Sequence, residues 1–520
     1  MANKGIGIDQ GIMAKEPIME RFDDALRNSH AIRSDEEPLL ADIFDKTSIL
    51  TKPTFISLLA NKAALPHSSE GVEAGEIMYA SMAYLATLPF PHYLEGPDAQ
   101  PLKGLSSKQL KRGLVWVMSD RIWRIVDKDD RLRTESDHLR LIFQSLASVT
   151  YCENSSDATR DSPDETYSSD PDSDGDEIYQ DLLDVVYSTQ VVRQYGGHLR
   201  VGLRRDRFRL VCKSLKKEYK VPSFNQLAIP IQRFMALLRC LLLLQFEPIK
   251  SIKDLSRFNS AAQSVCASFL QKPDDKVITW PTFEYAVMNI APYLFDSYYR
   301  LLTHTFLAGD SSCPFGVLDA AEVPSAPAGI ALTLPLQSQL VTFLNGSVGF
   351  GIFTRMRHYG ASNLPTPTAL VSTMQEVPDE AILVLFGKMA TGESCTFGLF
   401  SPKPRSDGPS IQTNYKPTPN HVGYERCAIF QLTPVQDVYR GVVGKPGWIV
   451  DDKSVTFGQG YGVVMTLKDN LANAEVRHQI SDRDEIGSTY EANPWRGNWV
   501  MDFEITEVEI WSDVLYKGRY

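Results

Sequence analysis

The feature that most constrains this chain is a change of hydrophobic period at residues 311–335. Before it, apolar residues recur at three- and four-residue steps in PLLADIFDK, TFISLLANKAAL, GEIMYASMAYLATL, SKQLKRGLVWVMSDRIWRIV and LRLIFQSLASV. The same spacing resumes at Ile178 and runs through IYQDLLDVVYSTQVVRQY, LRLVCKSLKK, IQRFMALLRCLLLL, SAAQSVCASFLQ and TFEYAVMNIAPYLFDSYYRLLTHTFL. It is the spacing of helices that bury one face. After the change, β-branched and aromatic residues alternate with polar ones in AILVLFGKM, CTFGLFSP, RCAIFQLTP, VYRGV, GWIVD, SVTFG, GVVMTLKD and WVMDFEITEVEIW, as half-buried antiparallel strands require. In the last of these the alternation slips near Glu507, which predicts a bulge. Between the two patterns lies SSCPFGVLDAAEVPSAPAGIALTLP, rich in Pro, Ala, Gly and Ser, a composition suited to a boundary. The expected fold class is therefore α+β: an α-helical N-terminal domain followed by an antiparallel β-sandwich, with flanking helices from LQSQLVTFL and FGIFTRMRHYG. The expected organisation is a flexible N-terminus at 1–35, a helical domain at 36–305, a linker at 306–335 and the strand-rich domain at 336–515.

Charge is unevenly distributed. The 520 residues carry 53 Lys+Arg against 64 Asp+Glu, a net −11, and 43% are hydrophobic, enough to bury cores in two to four domains at roughly 100–200 residues each. Residues 153–177 hold ten acidic residues and one Arg, a local −9, with no Val, Leu, Ile or Phe. Such a segment cannot offset its ordering entropy by burial and is expected to be a disordered insertion in the helical domain. Within it Ser169 and Ser173 each precede an Asp by three residues, Asp172 and Asp176. That is the acidic context of casein-kinase-type phosphorylation, set against a plain solvated tether. Between Arg193 and Lys220 ten Lys/Arg face only Asp206 and Glu218, a local +8. A stripe of this kind suits nucleic acid or an anionic membrane surface, but the acidic segment so close by favours an internal or partner-facing role.

No catalytic or metal constellation is legible. The seven cysteines (Cys152, Cys212, Cys240, Cys266, Cys313, Cys395, Cys427) include no CxxC pair, and the nine histidines are scattered, so zinc ribbon and thioredoxin-type chemistry are not expected. His421 and His478 lie near predicted strands and read as surface or satisfied histidines. Asp172-x-Asp174-x-Asp176 opens like a calcium loop, yet position 6 is Glu177 where Gly is needed and position 12 is Leu183 where Glu is needed. Two further helix-loop-helix outlines, around Ile49 and Ile278, lack ligands: Gln271, Pro273 and Thr282 fall at ligand positions 1, 3 and 12 of the second. They are read as degenerate EF-hand-like helix pairs. Phe457-Gly458-Gln459-Gly460-Tyr461-Gly462 resembles a phosphate loop, but a strand-like VVMTL follows it instead of a helix. The glycines are read as a close strand approach or bulged corner. The odd cysteine count and the polar opening MANKGIGIDQ favour a reducing, cytoplasmic setting. The longest apolar run, Phe234–Phe246, contains Arg239 and is shorter than the roughly 20 residues of a membrane span. No membrane anchor is expected, Ala2 standing where myristoylation needs Gly.

Four blocks in order carry a resemblance: FGLFSP (397–402), YERCAIFQLTP (424–434), SVTFGQGYGVVMTL (454–467) and FEITEVEIW (503–511). Together they resemble a TLDc domain, with NGSVGFGIFTRMRHYG (345–360) in the place of that family's opening helix. With the helical region before it, the arrangement is similar to the fungal restriction-of-telomere-capping TLDc proteins and, more distantly, to the animal MTOR-associated TLDc protein. The resemblance implies a β-sandwich without enzymatic activity, cofactor or small-molecule substrate. It also implies binding to the peripheral sector of the vacuolar proton-pumping ATPase, an effect on that pump's assembly state, oxidative-stress resistance, and a place in the cytoplasm or at the vacuole surface. Two competing readings stay open: a redox-protective enzyme using a low-pKa thiol at Cys395 or Cys427, and a link to telomere capping through Arg204, Arg205 and Arg207 of the basic stretch.

Overall fold

The computed structural model describes residues 15–513 except 46, 64, 91–101, 119, 123–133, 150–176, 190–192, 196–197, 201–204, 220–221, 223–225, 246–253, 309–330, 345–352, 378–380, 402–426, 443–446 and 482–487. Ser169, Ser173, His421 and most of the expected linker lie outside the described residues. The helices are α1 (Lys15–Asn28), α2 (Glu37–Phe44), α3 (Lys52–Ala63), α4 (Ser69–Thr87), α5 (Ser107–Val117), α6 (Glu135–Leu146), α7 (Glu177–Ser188), α8 (Arg209–Glu218), α9 (Ile231–Leu243), α10 (Asn259–Ala267), α11 (Trp280–Tyr285), α12 (Asp296–Phe306), α13 (Leu334–Leu344) and α14 (Pro367–Glu376). The strands are β1 (Ser148–Val149), β2 (Arg193–Tyr195), β3 (His198–Arg200), β4 (Leu227–Pro230), β5 (Val277–Ile278), β6 (Phe353–Gly360), β7 (Ala381–Met389), β8 (Ser394–Ser401), β9 (Ala428–Thr433), β10 (Asp437–Arg440), β11 (Trp448–Val450), β12 (Val455–Phe457), β13 (Gly462–Lys468), β14 (Asn473–Gln479) and β15 (Trp499–Asp513). The fold is α+β. Among the described residues no helix is long and apolar enough to cross a membrane.

The chain divides into two compact units. The first comprises 1–237, 276–284 and 298–316; the second comprises 238–275, 285–297 and 317–520. The strand-rich unit thus takes in helical segments from well before the period change.

In the first unit α4 is central. Ile77, Met78, Tyr79, Met82 and Leu85 are all buried, on a helix that packs against α3, α5 and α6. Ser68 starts α4 by accepting from the Gly71 amide. Some polar groups that enter this core are paired across it: Ser81 with Ser145 at 2.7 Å, and the Tyr84 hydroxyl donating to Gln144 at 2.9 Å. Within the segment expected to be a flexible N-terminus, Lys15–Asn28 is instead helix α1, with Ile18, Phe22 and Leu26 buried. Those three apolar positions, four residues apart, line one face. A mean hydropathy kept low by the charged residues between them hid the pattern.

Three Arg-carboxylate forks join these helices. Arg112 grips Asp23 of α1 at 2.7 and 2.8 Å, and Arg121 grips Glu36 at 2.7 Å through both nitrogens. Arg140 holds both Asp181, at 2.8 Å, and Asp137, at 2.7 Å. Each fork is bidentate or doubly partnered, the geometry in which a buried pair repays its desolvation.

In the second unit the strand order is β10-β9-β8-β7-β15-β14-β13-β12-β11, all antiparallel, with β6 joined to β15. Tyr439 from one end of this order and Trp448 from the other share a single buried cluster with Phe397, Phe457 and Phe503. The sheet is therefore folded over on itself as a sandwich, with α14 adding Leu370 and Met374 to the same core. On the outer side of the β8–β9 half lie α10 and α13: the Gln436 amide donates to Ser264 at 2.9 Å, Gln339 Nε2 donates to Leu432 at 2.9 Å, and the Phe343 and Phe430 rings stand 5.5 Å apart.

Two expectations are corrected. LQSQLVTFL is helix α13, but FGIFTRMRHYG, expected as a flanking or opening helix, contains strand β6. Its register opposite β15 places Arg355 across from Trp511 and within 3.1 Å of the Glu509 carboxylate, and that pairing overrides the local pattern. Strand β14, NAEVRHQ, escaped the sequence reading because its alternation of Ala474, Val476 and His478 with charged residues contains only one β-branched residue. The slip expected near Glu507 is present as a register shift between Ile505 and Glu507 against β7.

The Arg121 fork makes the first unit acid-sensitive. Burial raises the Glu36 carboxyl, but the Arg121 hydrogen bonds, the Arg33 amide and both positive charges outweigh it, leaving Glu36 below its ordinary value of 4.5. Its contribution is thus complete above that value and lost as pH falls through the lower folded-state value. Glu36→Gln, which leaves Arg121 buried against a neutral amide, is expected to cost about 3–5 kcal/mol in urea unfolding and to flatten the acid limb of stability.

Candidate partner-docking surface

The glycine run expected to be a corner is one. Gly458, Gly460 and Gly462 have φ of +89°, +75° and +74°, and strand β13 follows directly. A Cβ at Gly462 would lie 1.8 Å from the Tyr490 carbonyl oxygen, so only glycine lets β13 approach the 488–490 segment. No helix N-terminus opens there, and the run is a packing device instead of an anion cradle.

The chain next turns through Asn493 to Gly497, a loop clasped by one imidazole. His478 Nε2 accepts from the Asn493 amide at 2.9 Å, and the Nδ1 side faces the Gly497 carbonyl at 2.6 Å. An acceptor at Nε2 and a carbonyl at Nδ1 require the neutral tautomer with its proton on Nδ1. The ring is fully buried, stacked on Trp499 at 5.5 Å and 6°, with Tyr439 5.5 Å away on a tilted plane. Burial, reinforced by the Arg496 charge, pushes its pKa below 6.5 despite the Gly497 hydrogen bond. His478 is therefore a satisfied core histidine.

A second anchor is Asp437, also fully buried. Its carboxylate accepts from the Val438 amide, the Tyr439 hydroxyl at 3.1 Å and Asn493 Nδ2 at 3.0 Å, with Arg496 at 3.6 Å. Burial raises the Asp437 pKa in spite of these donors, and burial beside Asp437 raises that of Tyr439 well above its usual range. Asn493 completes the arrangement by accepting from the Trp495 amide through Oδ1. The result is a short helical turn, Pro494–Arg496, whose backbone is fixed at both ends. Its outer residue is Trp495, 37% exposed, with Tyr285 edge-on at 6.1 Å.

Exposure singles this region out. Among the described residues six large apolar side chains are exposed, and four of them, Ile449, Tyr461, Trp495 and Val500, fall between 449 and 500. Ile449 alternates with buried Trp448, and Val500 pairs across to Arg477, so both point away from the sandwich core. An aromatic on a pre-ordered turn loses little entropy when a partner covers it, the property of an interface anchor.

The thiols do not suit redox chemistry. Cys395 and Cys427 are buried, and burial pushes their pKa values up to about 12 and about 11. A reactive thiolate needs the opposite, a lowered pKa and solvent access. The low-pKa thiol expected under the redox reading is overturned at both positions. In the basic stretch Arg204 lies outside the described residues, while Arg205 is committed to Asp184 at 2.6 Å and to Gln180 at 2.8 Å. Arg207 is exposed. Among the described residues no group of His, Cys, Asp and Glu is arranged to hold a metal ion.

Because folding binds a proton to His478 more weakly than the unfolded chain does, the clasp contributes fully above pH 6.5 and weakens as pH falls below it. Hydrogen exchange at the Asn493 amide is expected to speed up between pH 7.5 and 5.5, after correction for intrinsic rates, and to lose that dependence in His478→Gln. Gly462→Ala, forced against the Tyr490 carbonyl, is expected to lower stability by about 3 kcal/mol or more in the same denaturant assay.

The closing block of the chain explains its own residues. Phe503 stacks on Phe397 at 5.4 Å and 9°. Glu509, fully buried, accepts from the Ala331 and Leu332 amides at 3.0 and 3.1 Å, from Arg355 at 3.1 Å and from the Trp511 indole at 3.1 Å. No curated protein was found to match the chain. Residues 366–513, from the Thr366 cap of α14 to the end of β15, match the TLDc domain family, and the second unit accordingly carries a TLDc domain.

Proposed function

We propose that this is a non-enzymatic interaction protein. It docks through its TLDc domain on the peripheral sector of a vacuolar-type proton-pumping ATPase and biases the assembly state of that pump under oxidative stress. The match at 366–513 supports the reading, since TLDc domains are protein-interaction modules linked to oxidative-stress resistance. The observation that carries it to a surface is Trp495, 37% exposed on a turn locked by His478 and Asp437. The chemistry needed is selective binding: a partner that favours one pump conformation by about 1.4 kcal/mol shifts its population tenfold. In this reading the protein resembles the fungal restriction-of-telomere-capping group in arrangement and works in the cytoplasm or at the vacuole surface. Phosphate on Ser169 or Ser173 would add charge to an already acidic segment. The buried thiols weigh against the redox alternative, and the commitment of Arg205 to α7 weighs against a nucleic-acid role for the basic stretch.

The test is affinity purification of the tagged full-length protein from its own cells, with and without peroxide, followed by mass spectrometry. Peripheral pump subunits are expected to be enriched, and Trp495→Ala is expected to reduce their recovery about tenfold, a typical cost for an interface anchor, with unchanged thermal stability. Absence of those subunits from the wild-type eluate would refute the assignment of partner. Undiminished recovery with Trp495→Ala would refute the assignment of surface.

A further inference from the structure

The basic stretch between Arg193 and Lys220 has no role in the docking of the TLDc domain. In the first unit its second half forms a short helical turn, Arg205–Phe208, that runs into α8. Phe208, Val211, Cys212 and Leu215 are buried in one cluster with Leu183 and Val186 of α7. At 3.6 residues per turn, the ridge directly opposite that face carries Leu210, Lys213 and Lys217, spaced by three and four. All three are exposed, and so is Arg207 one turn earlier.

The fold sorts the cations of this stretch. Arg205 turns inward to Asp184 at 2.6 Å, and Arg209 lies 3.3 Å from Asp206. Arg207, Lys213 and Lys217 enter no ion pair among the described residues. Apart from the engaged Asp206, the exposed carboxylate of this segment is Glu218, at the flank of the ridge. Lys213 and Lys217 stand four residues apart, where like charges repel across one turn. A place in the last turn suits Lys217 to the helix dipole, but that accounts for neither Lys213 nor Arg207. Among these cations projects Leu210, 57% exposed. In the described part of the first unit only one other large apolar side chain, Val72, is exposed.

We propose that the outward ridge of α8 is a membrane-contact face, which lays Arg207, Lys213 and Lys217 on the headgroups of an anionic bilayer and sinks Leu210 between them. Solvent penalises the projecting leucine and leaves the like charges to repel. An anionic bilayer favours both features, because its surface potential attracts each Lys or Arg and its acyl boundary takes up an aliphatic side chain. A nucleic-acid backbone would neutralise the cations but leave the leucine against phosphate and sugar. The other face of α8 stays in the core, so the contact is shallow and reversible, each cation contributing about fivefold in affinity. Lipid contact through α8 is independent of which protein the TLDc domain binds.

The test is flotation of the full-length protein with protein-free vesicles of phosphatidylcholine, alone or with about one-quarter phosphatidylserine. Binding to the anionic vesicles, at least about tenfold above the neutral ones and abolished at about 0.5 M salt, is expected. Lys213→Gln combined with Lys217→Gln is expected to lower it about tenfold or more, with the thermal midpoint equal or higher because the repulsion is relieved. Leu210→Ala is expected to lower it about fivefold without loss of thermal stability. Lys388→Gln removes an exposed charge of β7 in the second unit and is expected to change nothing. Equal flotation on the two kinds of vesicle, or binding undiminished by the lysine pair, would overturn the proposal. Loss with the lysine pair but not with Leu210→Ala would overturn it as well, since a polyanion such as nucleic acid would then fit the ridge better than lipid.

Discussion

Strand β15 is the element on which the second unit depends. One of its edges pairs with β7 from Phe503 to Ser512, and the other pairs first with β14, through Trp499–Glu504, and then with β6, through Glu507–Asp513. A single strand thus belongs to both halves of the sandwich. Its register shifts, at Ile505/Glu507 against β7 and at Ile510/Trp511 against β6, add the local bend that lets it do so. Glu509 sits between them. Its carboxylate takes two backbone amides at 331 and 332, just before α13, together with Arg355 on β6 and the Trp511 indole. The sheet, the edge strand and the covering helix are thereby tied at one buried charge.

The two units solve the buried-charge problem in different ways. The first uses Arg-carboxylate forks between helices, where pairing supplies most of the compensation. The second surrounds carboxylates with neutral donors as well. Asp437 accepts from a backbone amide, a phenol and an asparagine before any cation is counted, and Glu509 from two amides and an indole. Networks of this kind specify one arrangement of the chain, because any other leaves several groups unpaired. At Asp437 and His478 the arrangement so specified is the turn that presents Trp495, which is why a surface candidate rests on residues that never reach the surface.

Much of the second unit was legible in the residues. AILVLFGKM is β7, CTFGLFS lies on β8, and the alternation with its slip near Glu507 is the bulged β15. The glycine run was readable because a strand followed it, and the structure gives the reason in the Tyr490 carbonyl that meets Gly462. The surface was not legible. Trp495 is one aromatic in a polar turn, and nothing in EANPWRGNW says that Asn493 reaches Asp437, 56 residues earlier. Nor does spacing reveal that Tyr79, on the buried helix α4, ends in a hydroxyl without a hydrogen-bond partner.

The sequence by itself determined the two classes of secondary structure and the antiparallel character of the second half, because these rest on periods of 3.6 and 2 that are local properties of the chain; the TLDc-like order of its blocks rests on the identity of their residues. Only the tertiary structure decided that FTRMRHYG is a strand, that α1 belongs to a core, and that segments at 238–275 and 285–297 join the strand-rich unit. It also decided that Cys395 and Cys427 are buried, with their thiol pKa values raised, and that the two hydrogen bonds of His478 suit the neutral ring. Each of these follows from which distant residues exclude water or complete a hydrogen bond, and burial and pairing at that range have no signature in local spacing.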